Sequence, residues 1–378
     1  MSKLDELIRE LCPDGVEAKK LKDFLVIKNG SDYKSFGTGD YPVYGSGGIM
    51  TYIDRYAYDK PSVLIPRKGS IDKLYYVEKP FWNVDTIFYT EIDTTKAIPR
   101  YVYYCLQQKH LEEYNTAGGV PSLTQKVLNN IEILVPPLGI QREIVRILDN
   151  FTNLTAELTA ELTARQKQYA FYRNKLLTFG KIEGARIERI PLGDIGSICM
   201  CKRILKSQTN TVGGVPFYKI GTFGKKADSY ISQETFDEYR SKYNFPKKGD
   251  VLISAAGTIG RTVVYDGEPA YFQDSNIVWI DNDESIVLNS YLRYCYELKP
   301  WKASEGGTIP RLYNDNIAKA VIAVPSIEEQ KRVVSILDRF DAICNDLTSG
   351  LPAEIEARQK QYEYYRDKLL TFKEVAAT

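Results

Sequence analysis

Two rhythms of apolar residues alternate along this chain, and the pair occurs twice. In segments 1–136 and 181–325, β-branched and aromatic residues come in short runs broken by Gly, Pro, Asn and Asp, as in VLIPRKGSIDKLYYVEKPFW (Val63–Trp82). Such runs predict short strands joined by turns. Helical patches interrupt them near Pro99–Tyr114 and Leu288–Lys299, so each segment is expected to fold as an α+β domain with a curled sheet.

From Gly139 to Phe179 the spacing lengthens. Ile144, Ile147, Phe151, Leu154, Leu158, Leu162, Arg165, Tyr169, Tyr172, Leu176 and Phe179 follow steps of three and four, with one extra step of four at Leu162. That is the stripe of a long coiled-coil helix carrying a stutter. The stripe returns as Val333, Ile336, Phe340, Ile343, Leu347, Leu351, Ile355, Tyr362, Tyr365, Leu369 and Phe372, with Gly350 and Pro352 expected to break or kink it. A lone amphipathic helix of this length leaves its apolar stripe in water and needs a partner. An antiparallel pair of Gly139–Phe179 and Glu328–Phe372 buries both stripes and relates the two α+β domains by a pseudo-twofold axis.

Direct repetition supports the pairing. ARQKQYAFYRNKLLTF (Ala164–Phe179) returns as ARQKQYEYYRDKLLTF (Ala357–Phe372), 13 of 16 positions being identical. VPPLGIQREIVRILDNF (Val135–Phe151) returns as VPSIEEQKRVVSILDRF (Val324–Phe340). The offsets are 193 and 189, so four residues were gained or lost between them, where the chain reads TAELTAELTA (Thr155–Ala164). Looser echoes join YPVYGSGG (Tyr41–Gly48) to VPFYKIGT (Val215–Thr222), VLIPRKGSI (Val63–Ile71) to VLISAAGTI (Val251–Ile259), and GGVPSL (Gly118–Leu123) to GGTIPRL (Gly306–Leu312).

Composition adds little until it is mapped. The formal charge is +1, with 50 basic and 49 acidic residues, yet Gly196–Arg261 holds 11 basic against 5 acidic residues and Lys19–Lys79 holds 11 against 7. Basicity is therefore concentrated in the two domains, as phosphate contacts require. No run approaches the roughly 18 apolar residues of a membrane span, and MSKLDELIRE has no signal-peptide core, which places the chain in the cytoplasm with no membrane partner. Six scattered cysteines and one histidine, His110, give no metal site, and reduced, mostly buried thiols are expected.

Two divergent domains, each followed by a near-identical helix ending in RQKQYxYYRxKLLTF, together with the TAEL units and YPVYGSGG, resemble the DNA specificity subunit of type I restriction-modification enzymes. The resemblance covers essentially the whole chain. It implies two target recognition domains (1–136 and 181–325), each reading one half of a split, asymmetric site in double-stranded DNA. Between and after them stand a central spacer helix (137–180) and a C-terminal one (326–373), with 374–378 as a tail. It further implies two methyltransferase (modification) subunits docked on the helices, and restriction subunits carrying motor and nuclease. The TAEL word then acts as a ruler: one four-residue unit lengthens a helix by about 6 Å, close to two base-pair rises.

Candidate DNA-reading residues lie where strands deliver the chain to Gly-containing loops with hydrogen-bond donors: Tyr44, Ser46, Arg67, Lys68, Ser70 and Lys73 in the first domain, and Tyr218, Lys219, Lys225, Lys226, Thr258 and Arg261 in the second. Gly118, Gly119 and Pro121–Leu123, with Gly306, Gly307, Pro310 and Arg311, form a recurring loop that is either a structural turn or a DNA contact, and Arg311 is its candidate reader. Phe151, Leu158, Leu162, Tyr169, Tyr172, Phe340, Leu347, Tyr362 and Tyr365 are expected to pair the helices or dock a partner subunit. No phosphate loop of the G-x-x-x-x-G-K-[ST] type occurs, and VPPL (Val135–Leu138) lacks both ends of an amino-methyltransferase motif. A DNA reader without cofactor or catalytic chemistry of its own is expected. The competing reading is a standalone DNA-binding regulator or tether that dimerises through its helices.

Overall fold

The computed structural model describes residues 2–115, 118–179, 187–302 and 311–375. They form two compact units, one made of Met1–Thr159 with Glu354–Thr378 and the other of Ala160–Ala353. Among the described residues no helix is long and apolar enough to cross a membrane.

The first unit begins with α1 (Lys3–Leu11), opened by a capping box in which Ser2 and Asp5 satisfy each other's backbone N–H groups. Strands β1 (Val16–Lys20), β2 (Leu25–Asn29), β3 (Thr38–Gly45), β4 (Gly48–Ile53), β5 (Ser62–Pro66), β6 (Tyr75–Val77), β7 (Trp82–Asn83) and β8 (Ile87–Ile92) follow. Then come α2 (Pro99–Gln108), the short α3 (Gln125–Asn129), β9 (Glu132–Leu134) and α4 (Leu138–Thr178), a helix of 41 residues. The sheets are small, ordered β2-β8-β5-β6 and β4-β3-β7. Strand β5 is buried along its whole length, which explains its unbroken apolar run.

The second unit repeats this plan. It contains β10 (Glu188–Pro191), α5 (Leu192–Ile195), β11 (Gly196–Cys199), β12 (Val215–Tyr218), β13 (Tyr230–Ile231) and α6 (Gln233–Lys242). Next are β14 (Val251–Ser254), β15 (Thr262–Val264), β16 (Tyr271–Phe272), β17 (Ile277–Asn282), α7 (Asn289–Glu297), α8 (Asn314–Ala318), β18 (Val321–Val324) and α9 (Ile327–Asn345). Its sheets run β11-β17-β14-β15 and β13-β12-β16, strand for strand the order of the first unit. In both three-stranded sheets the last pairing is parallel, β3 with β7 and β12 with β16.

Each unit fastens its helix in the same way. The Gln141 amide accepts from Ile98 N–H at 2.8 Å and donates to the carbonyls of Lys96 and Pro136 at 3.0 and 2.7 Å. Gln330 accepts from Leu288 N–H and donates to Ile286 and Pro325 at 2.9, 2.9 and 3.0 Å. Both glutamines are fully buried, and α2 and α7 have no side-chain N-cap of their own, so the amide satisfies polar groups that burial would otherwise orphan. Tyr104 donates to Asp149 and Tyr294 donates to Asp338, while Arg100 and Arg293 pair with Asp149 and Asp341 at 2.8 and 2.5 Å.

The expected helices form, with corrections. The break at Gly350 is present: α9 ends at Asn345, and α10 (Leu351–Leu369) starts with Pro352 in its first turn, where proline is tolerated. A Cβ on Gly350 would lie 2.6 Å from the Ala342 carbonyl, which requires glycine there. Leu347 pairs no helices within this chain. It sits in the turn built on the Asp346 carboxylate, which accepts from Thr348 and Ser349, and it is 75% exposed. Phe179 lies just past α4 with φ +40°, Arg165 is exposed, and on α9 the buried apolar positions are Val333, Leu337 and Cys344 with Ile343 outside. Residues Glu374–Val375 are no loose tail: they form β19, which pairs in parallel with β1.

Replacing Gln141 or Gln330 by alanine strands three backbone groups and leaves a small void. Each substitution is expected to cost about 2–3 kcal/mol in denaturant unfolding, confined to the unit that carries it. A loss below about 0.5 kcal/mol for both would show that water replaces the amide.

Candidate nucleic-acid interface

At one end of the first unit's sheets the loops after β3, β5 and β7 meet. The β3–β4 turn brings Ser46 to Thr86, whose hydroxyl accepts from Ser46 N–H at 3.4 Å, and Tyr75 donates to the Ser46 carbonyl at 3.1 Å. Arg67 N–H donates to the Thr86 carbonyl at 2.8 Å, and the Arg67 carbonyl accepts from Leu123 N–H at 2.9 Å. Lys68 bridges Ser122 antiparallel, so the Pro121–Leu123 loop forms a ledge beside the β5 exit. A cleft of about 940 Å³ opens here, lined by Ser46, Gly47, Gly48, Met50, Asp85 and Thr86 among others.

The candidate residues of this unit separate into two groups. Ser46, Arg67, Lys68 and Ser70 come together at the loop end, with Lys68 and Lys73 exposed. Tyr44 is half-buried and packs its ring against Tyr75 and Phe81, which makes it a support for the loop as much as a surface group. The Arg67 guanidinium lies 5.8 Å from the centre of the Phe88 ring, a cation–π contact that holds it close to the sheet.

The second unit builds the same end with other side chains. Tyr218 stacks on Phe272 with ring centres 5.8 Å apart. Lys219 pairs with Asp228 at 2.8 Å, and Lys225 and Lys226 are exposed on the turn that follows. Arg261 donates to the Phe223 carbonyl at 2.9 Å and so ties this turn to the β14–β15 connection. Thr258 is exposed, and its carbonyl accepts from Ser254 at 2.5 Å. Arg311 bridges Ala256 antiparallel and reaches Ser275 and Asn276. Gly306, Gly307 and Pro310, the rest of that recurring loop, lie outside the described residues.

The helix residues meet as aromatic pairs within each unit. Phe151 stacks on Tyr365 at 5.4 Å, and Tyr362 is buried against Tyr104 and donates to Gln107 at 2.7 Å. In the second unit Tyr172 stacks on Phe340 at 5.8 Å, and Tyr169 donates to Glu297, which also binds Arg173, both at 2.9 Å. Tyr169 also packs against Phe340, with ring centres 6.2 Å apart, and burial pushes the Cys344 thiol above its ordinary value. Leu158 and Leu162 are half-buried, and Leu162 reaches the second unit's core. All six thiols are free, and burial pushes those of Cys105, Cys201 and Cys295 up to about 12. Sequence reasoning missed Phe171 and Tyr364, aromatic rings at equivalent repeat positions that are 62% and 61% exposed. Their signal was present in the repeat itself, as large apolar groups off the stripe.

Known proteins share this organisation. The model of the type I restriction modification DNA specificity domain matches residues 13–165 and 186–357. A Haemophilus influenzae protein named as a type I restriction enzyme specificity subunit is 48% identical over 89% of both chains. The EcoR124I/EcoR124II specificity subunit of Escherichia coli is 33% identical over 75% of this chain and 73% of its own. Among solved structures, the S subunit of a type I restriction-modification system from M. genitalium superposes with a TM-score of 0.57 over 93% of this chain and 94% of its own at 16% identity, a likeness of fold.

Arg261→Ala is expected to release the turn around Phe223 without unfolding the unit. Losing one charge-assisted hydrogen bond of about 1.5 kcal/mol should speed amide exchange at Phe223 and Lys225 roughly tenfold. Unchanged protection there would reassign the Arg261 side chain to the outer surface.

Proposed function

The chain belongs to the family of type I restriction-modification DNA specificity subunits, and on that premise we propose that it is the non-catalytic reader of such a complex. It works in the cytoplasm on a split, asymmetric site in double-stranded DNA, one half per unit. The observation that carries this reading is the duplication itself: one strand order and one set of buried hydrogen bonds hold two different loop ends. Shared framework with divergent tips suits two different half-sites. Residues 1–136 and 181–325 are the recognition domains and 137–180 and 326–373 the spacers. Contacts come from the loop-end donors: Ser46, Lys68, Ser70 and Lys73 in one domain and Lys225, Lys226, Thr258 and Arg311 in the other.

Methyl transfer and cleavage then come from partners: two methyltransferase subunits, with restriction subunits joining them. The helix repeats support a pair of identical docking surfaces. Gln166, Lys167 and Lys175 are exposed and so are their copies Gln359, Lys360 and Lys368. Core packing does not require identity at exposed positions, whereas contact with the same partner at both copies does. Phe171 and Tyr364, exposed beside them, have the character of interface anchors.

Two measurements test the assembly. In co-purification with the methyltransferase, the wild-type chain is expected to hold two copies, Phe171→Ala or Tyr364→Ala one copy, and the double variant none, each anchor contributing about 2 kcal/mol. Full stoichiometry in the double variant would remove these rings from the interface. Methylome sequencing of cells carrying the chain and its methyltransferase should return one split motif. Exchange of residues 184–323 should change one half of it, and deletion of Thr159–Leu162 only the number of unspecified bases. A deletion that leaves that number unchanged would end the ruler reading.

A further inference from the structure

The ledge beside the β5 and β14 exits is the same backbone in both units, and its cation has changed strand. In the first unit Arg67 and Lys68 leave the sheet opposite Ser122 and Leu123. In the second, Ala255 N–H donates to the Asn276 carbonyl at 2.7 Å, the Ala255 carbonyl accepts from Leu312 N–H at 2.8 Å, and Ala256 bridges Arg311. Gly69 and Gly257 follow with φ +82° and +65°, and each carbonyl accepts from the isoleucine two residues on, at 2.8 and 3.0 Å. Position for position, Arg67 corresponds to Ala255, Lys68 to Ala256, and Ser122 to Arg311.

The two cations differ in kind. A nitrogen of the Arg311 guanidinium lies within 3.4 Å of both Ser275 Oγ and Asn276 Oδ1, and Ser275 holds a left-handed φ of +53°, an unusual conformation for a residue other than glycine. A planar fork oriented in this way matches the O6 and N7 acceptors of guanine, and opposite it the small side chain of half-buried Ala256 leaves room for a base edge, Ala255 being buried in the core. Lys68 is an exposed point charge, suited to a phosphate, while Arg67 is drawn over Phe88.

We propose that Arg311 reads a guanine in the second half-site, with Ser275 and Asn276 as its positioning residues, and that Lys68, on the facing strand of the corresponding bridge in the first unit, holds a backbone phosphate and reads no base. This rests on the recognition function proposed above and specifies it residue by residue.

The test uses the full chain with its methyltransferase, on a DNA duplex carrying the wild-type methylome motif and on a scrambled duplex. Arg311→Lys is expected to relax one guanine position of the second half-site and lower affinity for the motif about ten- to a hundredfold, leaving scrambled-duplex binding and the first half-site as in wild type. Asn276→Ala should relax the same position to a smaller extent, an effect that general destabilisation would not produce. Lys68→Ala should weaken both duplexes alike and reduce the salt slope by about one, with the motif unchanged. The assignment of Arg311 is overturned if Arg311→Lys and Arg311→Ala keep the guanine, or if they weaken both duplexes equally. A changed base in the first half-site of Lys68→Ala overturns the phosphate assignment. The intact first half-site certifies folding of the Arg311 variants. A wild-type chain that yields no split motif would instead overturn the recognition function and this inference with it.

Discussion

Neither long apolar stripe can remain in water, and the way each is covered determines what else the chain can do. In the first unit, Ile140, Ile144 and Leu148 of α4 share a core with Tyr362 and Leu370 from the far end of the sequence. In the second, Tyr169 and Leu177 of α4 share a core with Val333, Leu337 and Cys344. Each unit therefore takes one half of α4 together with residues from a different helical segment. Both chain ends belong to one core, and β19 continues that closure by adding to the edge of β1. The burial at stake is large, since each fully buried Leu or Ile is worth roughly 2 kcal/mol.

Duplication has preserved the buried polar groups that fasten the helices. Gln141 and Gln330, Tyr101 and Tyr291, Tyr104 and Tyr294 make matching bonds in the two units, Tyr101 and Tyr291 donating to the carbonyls of Leu134 and Ala323 at 3.0 and 2.9 Å. Leaving any of these groups unpaired would incur the desolvation cost of a buried donor or acceptor. The loop ends carry no such constraint. Side chains there are free to differ as long as the backbone ledge and its glycines stay, and that is where Lys68 and Arg311 sit on opposite strands.

Much of this was legible in the sequence because it rests on period and repetition. The α+β class, the duplication, the two helical patches, the long helix and the break at Gly350 all leave marks a single sequence can carry. A stripe counted through a break loses its register, which accounts for Leu347, whereas Arg165 and Ile343 lie on unbroken helix and are simply exposed. Leu347 was assigned by continuing the step of four past Asn345, where the Asp346 turn has already ended the helix. Strand β19 is two residues long, and its pairing through backbone groups has no side-chain signature. Helix α6 buries Phe236 alone, so its period was invisible, although Ser232 caps it plainly. Both segments of the ledge are visible as repeats in the sequence, but that they face each other, so that Arg311 lies across from the place of Lys68, is a matter of strand pairing that no local pattern encodes.

The same burial argument singles out the TAEL word as the stretch of α4 with the fewest buried side chains. Leu148 belongs to the first core and Tyr169 to the second, and between them Leu154 is 37% exposed while Leu158 is half-buried. Leu162 touches the edge of the second core, and Ala156, Glu157, Ala160 and Glu161 face solvent. Ala, Glu and Leu are strong helix formers, so an extra turn here is supported by its own propensity and disturbs no buried contact. An insertion of four residues nearer Leu148 or Tyr169 would rotate buried side chains by about 40° out of their cores. A change of length is thus best tolerated in this stretch, where only part-buried leucines add to helix propensity.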